Sequence, residues 1–262
     1  MIRPSMDLAL TDLRVLVTGG SAGIGLAAAE LLAAEGARVM IASRQPEQAG
    51  AAAGVAAVAA DLSTADGCSR AVSAAVAGLG GLDVLVNNVG VARIGRFADT
   101  GDDLWQSAWD TNVMSYVRCI RAALPALRAS AAASVVNVAS TSGKRPSSGM
   151  PEYSVTKAAV LSLSRLVADV HAGDGIRCNA VCPGPTLSPA WLDAGGLADQ
   201  TSGDSDRSRD EVLRAVGAGR PIGRMAEPAE IAAVIAFLCS PRSSYVTGAA
   251  WSADGGTVPV II

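Results

Sequence analysis

The sequence predicts an α/β fold: one doubly wound parallel sheet of seven strands with helices on both faces. Three observations carry the prediction. Apolar runs of strand length alternate with helical patterns along the chain. The first of these runs leads directly into a glycine-rich turn and a helix. No repeat, linker or shift in composition divides the 262 residues, so they are expected to form a single domain (1–262) carrying a lid at about 187–220.

Leu13-Arg14-Val15-Leu16-Val17 is the first buried strand, and Thr18-Gly19-Gly20-Ser21-Ala22-Gly23-Ile24-Gly25 follows it. A helical pattern then runs from about Ile24 to Glu35, and Arg38 to Ala42 forms the second strand. Strand, glycine turn and helix in that order bring backbone N–H groups and a helix N-terminus against a phosphate, and glycine lets the backbone come close. The unit is expected to bind a dinucleotide. Which dinucleotide depends on the tip of the second strand, where an acid holds ribose hydroxyls and a cation holds a 2′-phosphate. Ser43 and Arg44 stand there without a carboxylate, so NADP is favoured and NAD is the alternative.

Gln45 to Gly54 reads as a short alanine-rich helix and Val55 to Ala60 as the third strand, ending at Asp61-Leu62. Asp61 either meets the adenine amino group or caps the helix that runs from near Ser63 to about Gly78. The fourth strand, Leu82 to Val86, ends in Asn87-Asn88-Val89-Gly90, at the carboxyl edge where open α/β sheets hold ligands. A long helical stretch, Asp102 to Ala129, is interrupted by Pro125 and carries Asn112, a residue that mid-helix is either solvated or committed to a polar contact. Ser134 to Ala139 is the fifth strand, with Ser140 just past it; a loop, Thr141 to Pro151, leads into a helix reaching about His171. Ile176 to Cys182 is the sixth strand and ends in Pro183-Gly184-Pro185-Thr186.

Leu187 to Arg220 breaks the alternation, and its polar middle, Asp199 to Asp206, is expected to be a mobile lid flanked by short helices. A last helix, Pro228 to Cys239, precedes the seventh strand, Gly248 to Ser252, and the turn Asp254-Gly255-Gly256. The apolar tail Val258 to Ile262 is expected to be covered by this or another subunit.

Composition narrows the function. A net charge of −3 gives no electrostatic reason to expect nucleic acid or an anionic membrane as partner. No apolar run reaches the length of a membrane span and Met1 to Asp12 lacks a signal-peptide core, so a cytoplasmic protein is expected. The five scattered cysteines read as small core residues, and no metal is expected. His171 is the only histidine, which disfavours a Ser-His-Asp hydrolase; at the end of a helix it reads as a cap.

Tyr153 and Lys157 fall at i and i+4 of one helix and share a face. An ammonium beside a phenol favours the phenolate, and lowering the phenol pKa by two or three units takes about 3–4 kcal/mol. Such a tyrosine exchanges a proton with a substrate oxygen while another group moves the electrons.

With these pieces in order, the chain resembles the single-domain short-chain dehydrogenases/reductases from about Thr11 to Thr257. The matching positions are Thr18 to Gly25, Asp61, Asn87 to Gly90, Asn112, Ser140, Tyr153 with Lys157, Pro183-Gly184 and Asp254-Gly255-Gly256. The resemblance implies a Rossmann-like sheet and reversible interconversion of a small-molecule ketone and a secondary alcohol. In it Tyr153 is the general acid/base, Ser140 binds the substrate oxygen, Lys157 lowers the phenol pKa and holds the nicotinamide ribose, and Asn112 anchors a proton-relaying water. It assigns cofactor contacts to Gly19, Ser21, Ala22, Gly23, Ile24, Gly25, Ser43, Arg44, Asp61, Leu62, Asn88, Val89, Gly90, Pro183, Gly184, Thr186 and Ser188, besides Tyr153 and Lys157. It also implies a homotetramer or homodimer paired through the Asn112 and Tyr153 helices. The chain departs mildly from the family at Ala22, where NADP enzymes often carry a second base, at Val89 in place of alanine, and at Ala139 in place of serine. The rival readings are an NAD-dependent alcohol dehydrogenase and a catalytically silent NADP-sensing regulator. Substrate contacts are expected from Val91 to Arg93, Thr141 to Met150, and Pro185 to the lid with Trp191 and Leu192; Lys144 and Arg145 either face solvent, the commoner outcome for such bases, or attract an anionic or acyl-carrier-linked substrate.

Overall fold

The computed structural model describes residues 7–49, 54–203 and 205–259. Seven strands, β1 (Arg14–Thr18), β2 (Arg38–Ser43), β3 (Val55–Ala59), β4 (Val84–Asn87), β5 (Ser134–Val138), β6 (Arg177–Pro183) and β7 (Ala250–Ala253), form one parallel sheet in the order β3-β2-β1-β4-β5-β6-β7. The helices are α1 (Gly23–Ala34), α2 (Ala65–Leu79), α3 (Asp102–Trp109), α4 (Ser115–Arg128), α5 (Thr141–Lys144), α6 (Pro151–His171), α7 (Pro189–Leu192), α8 (Leu197–Gly203), α9 (Arg209–Ala218) and α10 (Pro228–Cys239). Side chains alternate across each strand, so Val15 and Val17 join α1 and α10 on one face while Leu16 joins α2 and α4 on the other. That double burial explains why the strands read as continuous apolar runs.

The strand order reverses between β1 and β4, and a crevice opens there at the carboxyl ends of the strands. The opposite ends of the same two strands are tied by charge. Asp83 accepts hydrogen bonds from Arg14 N, Nε and Nη2 at 2.8, 2.8 and 2.7 Å and from Ser130 Oγ at 2.6 Å. Burial alone raises the carboxyl pKa, but these donors outweigh it and hold Asp83 at about 2. A depressed carboxylate stabilises the fold above its unfolded pKa, and the contribution is lost as pH falls from about 4 to about 2. That loss is expected to be about 2–3 kcal/mol, and urea unfolding across this pH range should show a shallower decline in Asp83→Asn.

Several elements differ from the sequence expectation for identifiable reasons. The stretch 102–129 is not one helix: it winds as α3, a π turn over Asp110–Met114 and then α4. Pro125 lies within α4 without ending it, because Tyr116, Cys119, Ile120, Ala123 and Leu127 bury one continuous face and override the local cost of about 3 kcal/mol. Only a single turn, Pro46–Ala49, occupies the start of the short helix expected over 45–54, and residues 50–53 lie outside the described ones. The loop 141–151 begins with α5, capped by Ser140, whose Oγ accepts from Ser142 N at 3.0 Å. Of the polar segment 199–206, residues 199–203 are helical, since Leu197 and Ala198 are buried and Asp199 Oδ2 takes the Gly195 N–H at 2.8 Å. His171 ends α6, with Nδ1 2.9 Å from Asp174 Oδ2. All five cysteines are buried and unpaired. The apolar tail is described only to Pro259.

Candidate active site

The crevice has two connected parts. The first, of about 500 Å³, lies over the tips of β1, β2 and β3 and is lined by Gly19, Ser21, Ser43, Arg44, Asp61 and Leu62. Its floor is the glycine turn. Gly19 sits at φ +64°, and a Cβ on Gly25 would fall 2.3 Å from Gly19 O and 2.4 Å from Asn88 Nδ2, so only glycine allows helix α1 to start this close to the strand. Asn88 holds the turn from the other side, donating Nδ2 to Thr18 O at 3.2 Å and Gly19 O at 3.0 Å. Ser43 Oγ is buried without a hydrogen-bond partner among the described residues, beside exposed Arg44. An orphaned hydroxyl next to a guanidinium, above a turn stripped of side chains, fits the phosphate and ribose of a dinucleotide. Asp61 uses Oδ1 for Ser63 N and Oγ at 3.0 and 2.8 Å, and these bonds hold its carboxyl below the ordinary range; it closes the turn before α2, whose cap is Thr64, with Oγ1 accepting from Gly67 N at 3.0 Å.

The second part, of about 330 Å³, shares Gly19, Val89, Gly90 and Val91 with the first and lies over β4, β5 and β6. Ser140, Tyr153, Lys157, Pro183, Gly184, Thr186 and Ser188 line it with Ala22, Gly23 and Ile24. Ser140 reaches it from the end of β5 and Tyr153 from the first turns of α6, where Pro151 starts the helix. Gly143 makes that closeness possible, for a Cβ there would fall 2.7 Å from the Lys157 carbonyl.

Electrostatics depart from the sequence expectation. Burial raises the Tyr153 phenol, and the hydrogen bond with Ser140 opposes this only in part. Lys157 does not lower it as expected. Its Nζ is directed to Val138 O at 2.7 Å and Tyr116 Oη at 3.3 Å, and stands 5.7 Å from the centre of the Tyr153 ring. Burial brings the ammonium itself down to about 7, because the neutral oxygens around it only partly replace water. Reading the i,i+4 spacing as a pKa device takes no account of this desolvation.

Asn112 is fully buried in the π turn and its amide is committed. Oδ1 accepts from Val91 N at 2.8 Å, while Nδ2 donates to Val91 O at 2.9 Å and Thr156 Oγ1 at 3.1 Å. It therefore clamps the loop after β4 to α6. Lys144 Nζ bonds Ala250 O at 2.7 Å and Ser252 Oγ at 3.0 Å, so it braces β7 and does not line the cleft; Arg145 is exposed and does not line it either. Of the expected substrate contacts, Val91, Ala92, Thr141, Ser142, Met150, Pro185 and Trp191 line the cleft, Arg93 faces the other part, and Leu192 lines neither. Pro189, Ala190 and Leu197, within the span expected from Pro185 into the lid, line it too, whereas Asn88, Val138 and Ala139 were not expected as substrate contacts. Tyr116 was not anticipated either, although it follows Asn112 at i+4, the spacing that singled out Tyr153 and Lys157.

A family model described as enoyl-(acyl carrier protein) reductase matches residues 19–258. The chain is 35% identical over 260 residues to the uncharacterised oxidoreductase YvrD of Bacillus subtilis, covering 97% of this chain and 99% of that protein. It is 34% identical over 261 residues to the 3-oxoacyl-[acyl-carrier-protein] reductase FabG of Chlamydia muridarum, covering 96% and 99%. Among solved structures, L-sorbose reductase from Gluconobacter frateurii, complexed with NADPH and L-sorbose, superposes with a TM-score of 0.91 at 34% identity, covering 98% of this chain and 100% of that one.

Proposed function

The chain belongs to the short-chain dehydrogenases/reductases and interconverts a carbonyl and an alcohol with NAD(P), and on that premise we propose that it is an NADPH-dependent reductase of uncharged ketones with Tyr153 as proton donor. The observation that carries this reading is the convergence of Ser140, Tyr153 and Lys157 on one end of a groove whose other end holds Ser43 and Arg44. The sorbose reductase bound to NADPH supports the cofactor choice. Apart from Lys157, the residues lining the chemical end of the groove carry no charge, and Met150, Trp191 and Leu197 give it apolar walls. An uncharged substrate suits such a lining better than an anionic one.

When bound, the nicotinamide supplies the hydride. The hydroxyls of Ser140 and Tyr153 hold the carbonyl oxygen by hydrogen bonds and so orient the reacting carbon. As charge develops on that oxygen, Tyr153 gives up its proton to it. A phenol held above its ordinary pKa stays protonated at neutral pH, which suits reduction; the reverse reaction needs the phenolate and should speed up with rising pH. Lys157 places positive charge behind the phenol and holds the ribose. Backbone around Gly19, Gly23 and Ile24 receives the pyrophosphate at the start of α1, with Gly90, Gly184 and Thr186 closing around the cofactor. Helices α7 to α9 form the lid of one catalytic domain.

Exposed Val155, Leu166 and Val170, at 48, 58 and 61%, share a stripe of α6 and support pairing of subunits there into a homodimer or homotetramer. Light scattering tests this: a mass of one chain would reject it. Five buried free thiols suit the reducing cytoplasm. The whole reading is tested by following NADPH absorbance with a panel of uncharged ketones and carboxylate-bearing analogues. Turnover of the uncharged ketones is expected, and turnover confined to the anionic analogues would reject the substrate class.

A further inference from the structure

Tyr116 belongs to none of the motifs, yet its side chain is hydrogen-bonded to Lys157. It is completely buried near the start of α4. Its hydroxyl donates to Val138 O at 3.0 Å and accepts from Lys157 Nζ at 3.3 Å, and the same Nζ donates to Val138 O at 2.7 Å. Ammonium, phenol and the carbonyl that ends β5 therefore close a triangle of hydrogen bonds behind the cleft. Val138 O satisfies the hydroxyl as a donor; what Tyr116 offers Lys157 is its oxygen as an acceptor. The ammonium also lies 5.3 Å from the Tyr116 ring centroid, where the aromatic face attracts it.

We infer that Tyr116 is a positioning residue: its hydroxyl fixes the Lys157 ammonium behind Tyr153 and helps it keep its charge in a buried site. The inference rests on the proposed roles of Tyr153 and Lys157. The titratable groups facing Lys157 are Tyr153 on its own helix, Tyr116 from α4 and Cys182 from β6. Burial raises all three, the Cys182 thiol to about 11, so none supplies a negative charge at neutral pH. Gly90 comes close as well, since a Cβ there would stand 3.4 Å from Nζ, but glycine brings no charge. Charge retention at Lys157 thus depends on neutral acceptors, and Tyr116 is the one among them that a single mutation can remove without cutting the backbone. Replacement by phenylalanine keeps the ring and its packing and deletes only the acceptor.

Lys144 and Lys157 are the only lysines in the chain, so ¹³C-lysine labelling gives two resonances, and Lys144→Arg identifies which is Lys157. In Tyr116→Phe the Lys157 titration is expected to move down by about one pH unit, as loss of a hydrogen bond to a charged group implies. The alkaline limb of the pH profile for ketone reduction should move down with it, and the KM for the cofactor should rise more than kcat falls. A Lys157 titration unchanged to within a few tenths of a unit would overturn the inference, and a lowered melting temperature beside it would reduce Tyr116 to packing. The labelled-lysine titration does not depend on turnover. If the wild type reduced no ketone, the redox reading would fail while the link between Tyr116 and Lys157 would still be decided.

Discussion

Replacement of Tyr153 by phenylalanine is expected to lower turnover by about 10²–10⁴-fold while cofactor affinity stays within a few-fold. The change deletes one oxygen from a ring whose other contacts persist, so the loss reports the proton and not the packing. Ser140 still binds the carbonyl oxygen, and the groove around Gly19 and Arg44 is untouched. NADPH absorbance at saturating ketone measures turnover, and fluorescence titration measures cofactor binding. Near-normal turnover in this variant would falsify the assignment of Tyr153. A fall in both quantities together would point instead to a collapsed site.

The second large effect is on cofactor choice. Arg44→Ala is expected to weaken NADP binding by roughly 10- to 150-fold and to leave NAD binding nearly unchanged, as removal of a charge-assisted bond to the 2′-phosphate implies. Asp61 shares the crevice with Arg44, and the guanidinium helps lower its carboxyl pKa after the larger effects of Ser63. Without Arg44 that end of the crevice keeps the Asp61 carboxylate and loses its cation, which strengthens the predicted discrimination. Dissociation constants for both cofactors in wild type and variant provide the check, and an unaltered ratio clears Arg44 of the role.

Much of the site was legible because its parts are local. A glycine turn between an apolar strand and a helix declares itself in eight residues, Thr18 to Gly25, and the structure brings them to the switch point. The same holds for Ser140 at a strand end and for Tyr153 and Lys157 on one helical turn. Lys144 was not legible, since what takes its ammonium lies 106 residues away on β7. The commitment of Asn112 to Val91 and Thr156 was equally hidden, because it joins three segments far apart in the chain.

Sequence by itself determined the strand and helix order, the residue types at the strand tips and the Tyr–Lys face, since each follows from backbone periodicity and steric allowance over a few residues. Only the tertiary structure decided how deeply Lys157 and Tyr153 are buried, which oxygens surround the ammonium, and therefore in which direction the phenol pKa moves. Desolvation depends on everything packed around a group, from α4, β5 and β6 alike, and no stretch of contiguous residues records it.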